Sequence, residues 1–315
     1  MLVSEDIGRS MRLSAPLLPG VLLFFLIAEH FDGLRDMRRL YLTFSIVGLG
    51  LGSALLWCGW KNGWRIVNVV PGVGSPLLIV RNDSTFLALL APLSFALFYR
   101  EPRGLIGSLA ALSMLLSIGA VVCMRSRTAG LTMMISLMCA SALMQPRRRL
   151  MFGLMCGLVV LAFALFIDGL LGFPFSTKIT NKWTLSGRTG YWSIAWTMFL
   201  AAPMLGQGPH TYGLFHKTPW PHNLYLEVLA EQGLLGLPAL GCLLASGLSI
   251  AWQLQRAVSD EVRLLAAGAL AAWVGFCSAA AVELSLIRQW VVIILFALLG
   301  VIAQLASSQP TRRVD

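Results

Sequence analysis

Charge is what this sequence has least of. Only 12% of its 315 residues are Asp, Glu, Lys or Arg, while 57% are hydrophobic. A soluble globule carries about a quarter charged residues. The shortage argues against a soluble fold and for an integral membrane protein. Cysteine patterning is also missing. Cys58, Cys123, Cys139, Cys156, Cys242 and Cys277 all sit in apolar runs, with no C-x-x-C pair and no histidine spacing. That excludes a disulfide framework and a zinc site of the usual spacing, leaving small buried hydrophobes. Acidic residues are scarcer than basic ones, 14 against 24, for a net charge of +10. In a soluble chain such an excess would suggest nucleic acid. In a membrane protein it marks loops that stay on the cytoplasmic side, and no nucleic-acid partner is implied.

What is present is a series of long apolar runs. A membrane-crossing helix needs about 20 mostly apolar residues. Nine candidate spans answer to this, roughly 13–30, 40–60, 85–99, 105–124, 128–145, 150–167, 226–252, 264–282 and 289–307. The third is short and extends backwards into the loop before it. Lipid tolerates only helices or closed barrels, and continuous apolar runs specify helices. The expected fold is an all-α, polytopic transmembrane bundle, a single membrane domain over 1–315. The first run lacks a cleavage site of the signal-peptide kind and reads as a retained span. One long connection, 169–225, separates the sixth and seventh spans; loops of this length inside compact bundles are usually functional. Its segment "WSIAWTMFLAAPMLG" is apolar enough for a short helix on or in the membrane face.

If this loop lies outside, then "RDMRR", "REPR", "QPRRR", "QRAVSDEVR" and "TRRVD" lie inside as ordinary positive anchors. Counting the 24 Lys and Arg divides them evenly between the two sides. The compact triple-arginine loop and the bases around the histidines favour the long loop outside.

From Gly169 to Leu226 there is no Asp or Glu, while Lys178, Lys182, Arg188 and Lys217 are present. Magnesium and manganese sites use oxygen ligands, usually carboxylates, so a metal-dependent transferase with an acidic motif is not expected here. Direct anion binding by arginine and lysine fits, because the guanidinium fork matches phosphate. Arg125 and Arg127, in "CMRSRTAG" between the fourth and fifth spans, are further candidates at the outer boundary. A tight polar turn with arginines snorkelling to headgroups accounts for them equally. The chain has four histidines, and His210, His216 and His222 fall within thirteen positions. His222, between Pro221 and Asn223, stands where a new helix would begin. A neutral imidazole can take a proton from a hydroxyl near neutral pH. For a lone histidine, a helix cap or a headgroup contact is the plainer account, and more so for His210 and His216.

Taken together, "SGRTGYW", "PMLGQGPHTY" and "PHNLYLEVLAEQGLLGL" resemble the signature region of the bacterial O-antigen ligase and polymerase family. "VRNDSTFLALLAPLSFAL", "MRSRTAGL" and "AVELSLIRQW" resemble that family's Asn-led span, Ser-Arg turn and last periplasmic turn. The likeness covers about residues 75–305. It implies a multi-pass glycosyltransferase of the bacterial inner membrane, with its active face periplasmic. A glycan would pass from undecaprenyl pyrophosphate to an acceptor hydroxyl, lipid A-core in a ligase or a second glycan in a polymerase, with no metal or other cofactor. By the resemblance His222 is the general base, Arg127 and Arg188 hold the donor pyrophosphate with Arg125 beside them, and Asn223, Trp192 and Lys217 support the site. With that likeness the base becomes the favoured reading of His222. The family has more spans than are counted here, and the shortfall at the N-terminus suggests a short form or an incomplete product. Protein O-glycosylation is a further reading within the family. Outside it stand a transporter or flippase for an anionic lipid, which would show inverted repeats, and a non-catalytic scaffold.

Overall fold

The computed structural model describes residues 8, 11, 14–15, 17–61, 80–124, 126–144, 188–216, 218–257 and 259–308. Among the described residues the elements are helical: α1 (Leu17–His30), α2 (Gly33–Lys61), α3 (Val80–Arg100), α4 (Leu105–Cys123), α5 (Arg127–Met144), α6 (Arg188–Ala201), α7 (Tyr212–Phe215), α8 (Leu224–Gln253), α9 (Asp260–Ala280) and α10 (Gln289–Ser307). Five are long and apolar enough to cross a membrane: α2, α4, α8 with the turn that extends it to Arg256, α9 and α10. The chain is a multi-pass helical membrane protein. Helices stand at each expected span except 150–167, which lies outside the described residues. The third span begins earlier than its apolar run, at Val80.

Two helices also begin earlier than their apolar runs. "RDMRR" is not a loop but the first turns of α2, and "DEVR" opens α9. The apolar run marks what lies in hydrocarbon, whereas the helix continues into the polar layer. Asp36 in the first turn of α2, and Asp260 with Glu261 in that of α9, suit the positive end of the helix dipole.

The chain forms two compact units. One comprises the described residues within Ala28–Phe173, Leu248–Phe276 and Val301–Asp315. Here α2, α3 and α4 approach closely through small residues. A side chain at Gly48 would strike Ser113, and one at Gly52 would press on the backbone of Leu116. Ser45 bonds to Ser94 at 3.0 Å, Ser94 lies 3.4 Å from Ser113, and the Tyr41 hydroxyl donates to the Leu265 carbonyl at 2.7 Å. Lipid gives apolar helices no hydrophobic reason to associate, so close packing and interhelical hydrogen bonds carry this unit. At one of its ends Glu261 accepts from Arg38 and lies 3.3 Å from Arg100, which also pairs with Glu101. Residues of "RDMRR", "REPR" and "QRAVSDEVR" therefore meet there.

The other unit comprises the described residues within Met1–Ile27, Pro174–Gly247 and Cys277–Gly300. Gly20 of α1 lets Val292 and Phe296 of α10 approach, and Gly300 does the same for Ile27. Ala195 and Met198 of α6 pack with Tyr212 of α7 and Ala230 of α8, with Tyr191, Ile194 and Leu226 around them. The apolar segment of the long loop thus forms a helix, α6, fixed against the start of α8.

Gly268 offers a direct test of the close packing. A Cβ there would lie 2.7 Å from that of Ala96 and 3.1 Å from the Pro92 carbonyl oxygen. Gly268→Val is expected to destabilise by about 1–3 kcal/mol through overpacking, seen as a lower melting temperature in detergent. Gly50→Val, where a Cβ meets nothing within 4 Å, is expected to change it far less.

Candidate functional site

The site begins with a break in a helix. At Gly233 the backbone of α8 leaves helical geometry, with φ 65° and ψ −158°. In a continuous helix the N–H groups of Leu234 and Leu235 would bond to the carbonyls of Ala230 and Glu231. Here they donate to Pro203 and Met204, at 2.8 and 3.3 Å. The released carbonyls of Ala230 and Glu231 accept from Gln207 and Gly208, at 3.1 and 2.9 Å. The "PMLGQG" turn has entered the ladder of α8 and completed it from both sides. Two glycines are needed for this. Gly206, at φ 67°, lies against the backbone of Glu231 and Gln232, and Gly233 lies against that of Met204. A Cβ at either position would strike main chain.

Glu231 fixes the segment after that turn. Its carboxylate accepts the backbone N–H of His210 at 2.6 Å and of Tyr212 at 3.0 Å. His210 is buried and has a positive φ of 63°, so its place is in the turn. Burial pushes the Tyr212 hydroxyl up to about 12, and that group donates to the Tyr191 carbonyl. His216 accepts the Thr218 N–H on Nδ1 and packs edge-on against Tyr191.

Asn223 caps α8, its side-chain oxygen accepting the Leu226 N–H at 3.0 Å. His222, immediately before it, has φ 55°. A non-glycine residue in the left-handed region is costly and tends to occur where surrounding structure demands it. The imidazole lies beside Tyr191 and Trp220, and Trp220 Nε1 donates to its Nδ1 at 3.2 Å.

Glu283 is the centre of the charged group. Arg188 Nη2 donates to it at 2.8 Å, Arg288 lies 3.5 Å away, and His222 Nδ1 lies 3.6 Å away. Glu283 and Arg288 are both only 10% exposed, and Arg288 stacks over the Trp220 ring at 4.2 Å. Burial pushes the Glu283 carboxyl upward, but His222 when it is protonated, with the charges of Arg288 and Arg188, outweighs it and holds the group below the ordinary carboxylate value. Burial lowers the Arg288 value, against the opposing pull of Glu283 and Glu227. Glu227, buried one turn into α8, accepts the Leu286 N–H at 3.2 Å and ties this turn to that helix.

The structure therefore brings together Arg188 and His222 of the expected site residues, through a carboxylate absent from the expectation. The stretch 169–226 has no acid of its own, yet its site is not free of carboxylate, because Glu283 enters from the turn between α9 and α10. Asn223 serves as the helix cap beside His222. Trp192 sits one turn along α6 from Arg188, its indole N–H buried with no acceptor among the described residues. Arg127 opens α5, but its side chain is outside what is described, as are Arg125 and Lys217 entirely. Glu283 and Arg288 had a visible signal: they are charges in "AVELSLIRQW", between two apolar helices, where ionisable residues are expensive.

Residues 112–241 match the family model described as O-Antigen ligase. That segment, somewhat under half of the chain, includes Arg188 and His222 but not Glu283 or Arg288. No curated protein matches the chain closely enough to count as a relative.

Replacing Asn223 with Ala should remove the cap and lower stability by about 0.5–2 kcal/mol, with Asn223→Asp close to wild type; thermal unfolding in detergent reads both. Glu283 supplies a pH test. Its folded value is depressed, so its contribution is complete above about 4.5 and is lost as pH falls through the lower folded value. The stability advantage of wild type over Glu283→Gln should be full at pH 7 and should shrink in that acidic window.

Proposed function

We propose, from the match of residues 112–241 to the O-Antigen ligase family model, that the chain is a glycosyltransferase of the ligase type. In this reading it uses an undecaprenyl-pyrophosphate-linked glycan as donor and a lipid A-core hydroxyl as acceptor. The long loop faces the periplasm, and the reaction needs no metal. The observation that carries the reading is the convergence of Arg188 and His222 on one buried turn beside a helix N-terminus.

The roles follow from the chemistry of the groups. Arg188 gives the donor pyrophosphate charge-assisted hydrogen bonds, and Arg127, Arg125 and Lys217 are the further candidates for holding it. His222 accepts the proton of the acceptor hydroxyl. The hydroxyl oxygen forms a bond to the anomeric carbon. The bond from that carbon to the pyrophosphate oxygen breaks, and undecaprenyl pyrophosphate leaves with the electron pair. No cofactor is required, since the pyrophosphate is its own leaving group.

Three variants separate binding from chemistry. His222→Ala should leave donor affinity nearly intact and slow transfer by about 10²–10⁴-fold, the usual range for general-base catalysis. Arg188→Ala should weaken donor binding by about 1.5–3 kcal/mol per lost charged hydrogen bond. Arg188→Lys should recover only part of this, since it keeps the charge and loses the fork. Donor titration with transfer kinetics on the same preparations checks all three. Wild-type transfer by His222→Ala removes the base assignment. If the glycan joins a second lipid-linked chain instead of lipid A-core, the protein is a polymerase.

A further inference from the structure

His222 Nδ1 lies between two groups that make opposite demands on it. Trp220 Nε1, at 3.2 Å, can only donate a hydrogen bond. Glu283 Oε1, at 3.6 Å, is an ionised carboxylate and can only accept. Nδ1 serves the first with a lone pair and the second with a proton, so it cannot serve both. The observed distances favour Trp220, since 3.6 Å is too long for a hydrogen bond. A neutral ring with its lone pair on Nδ1 carries its proton on Nε2. A ring in that tautomer has no free nitrogen facing away from Trp220, and Nε2 cannot take a proton from a substrate.

What keeps Glu283 from His222 is equally visible. The carboxylate is bonded to Arg188 at 2.8 Å and lies 3.5 Å from Arg288. Arg288 in turn covers the face of Trp220. Glu283, Arg288, Trp220 and the imidazole form a closed circuit to which Arg188 is joined through Glu283, so a change of partner at the arginines reaches both groups that compete for Nδ1.

Resting on the glycosyltransferase reading, we propose that Glu283 is an internal stand-in for the donor pyrophosphate and the positioning residue of the His222 base. In the donor-free site it occupies Arg188 and Arg288. When a pyrophosphate takes the arginines, Glu283 turns to Nδ1 and Trp220 withdraws as Arg288 moves. Nε2 gives its proton to water, Nδ1 takes one from water, and the new Nδ1–H donates a hydrogen bond to the Glu283 carboxylate. His222 changes from the Nε2–H to the Nδ1–H tautomer, with no net gain of protons, and Nε2 presents its lone pair to the acceptor hydroxyl. The base is thus assembled only when the donor is present, which gives an order to binding: donor first, acceptor second.

The swap predicts a split that a purely structural carboxylate would not give. Glu283→Gln removes the competitor for the arginines, so undecaprenyl pyrophosphate should bind more tightly, on the order of tenfold within the usual range of coupling. The same variant leaves His222 unoriented, so turnover should fall by on the order of 10²-fold. Calorimetric titration of the purified full chain with undecaprenyl pyrophosphate reads the first, and transfer kinetics read the second. Weaker or unchanged binding by Glu283→Gln overturns the inference. Nitrogen NMR of histidine-labelled protein reads the tautomer directly. Inorganic pyrophosphate should move His222 of the wild type from Nε2–H to Nδ1–H, and an unchanged tautomer at saturation overturns the swap. Trp220→Phe keeps the test open if Glu283→Gln does not fold. Without the indole donor, His222 should show Nδ1–H before any pyrophosphate is added, and persistence of Nε2–H contradicts the competition. Failure of these results while Arg188→Ala still loses donor affinity sinks the swap alone. If Arg188→Ala binds donor as wild type does, the transferase reading falls with it.

Discussion

A helix in lipid has no water to satisfy a broken backbone ladder, and an unmet N–H or carbonyl there costs several kcal/mol. At the break at Gly233 the 203–208 turn supplies partners for the backbone groups of Ala230, Glu231, Leu234 and Leu235. That exchange fixes the long loop to α8 by main chain, independent of side-chain identity apart from the glycines. Once the turn is seated, Glu231 gathers the His210 and Tyr212 N–H groups. The chain then runs through Trp220 to a strained His222 and an Asn223 cap. The position of the imidazole is thus a consequence of backbone hydrogen bonding further along α8.

Electrostatics complete the arrangement. Removing one partner of a buried ion pair leaves an uncompensated charge, whereas a buried charge with several partners is tolerated. Glu283 has the guanidinium groups of Arg188 and Arg288 beside it, and its carboxyl stays below the ordinary carboxylate value in spite of burial. The neighbouring Glu227 holds the Leu286 N–H, so the turn that carries Glu283 and Arg288 is anchored to the same helix that His222 precedes. The cationic side chains Arg188 and Arg288 are here held together by the buried carboxylate between them.

Much of this was legible in the sequence. The apolar runs marked the helices, because hydrophobic length is a direct measure of hydrocarbon thickness. Their polar ends were less legible. "RDMRR" and "DEVR" read as loops by composition, yet helix geometry continues through them with acids in the first turns. The motif order pointed to Arg188 and His222, and the short helix in the loop was visible as an apolar stretch. Glu283 was missed for a different reason. It meets Arg188 across 95 positions, and no local pattern reports a partner at that separation. The break at Gly233 was hidden too, since "EQGLLG" reads as a mildly weakened helix until the turn that fills it is known.

The claim on which the rest depends is that the chain transfers a glycan with its own side chains. Purified protein in liposomes, supplied with an undecaprenyl-pyrophosphate-linked glycan and lipid A-core, should be assayed in excess chelator for release of undecaprenyl pyrophosphate. Release matched one to one by glycosylated acceptor is the predicted result. No release, or release that appears only when magnesium is restored, would contradict the account.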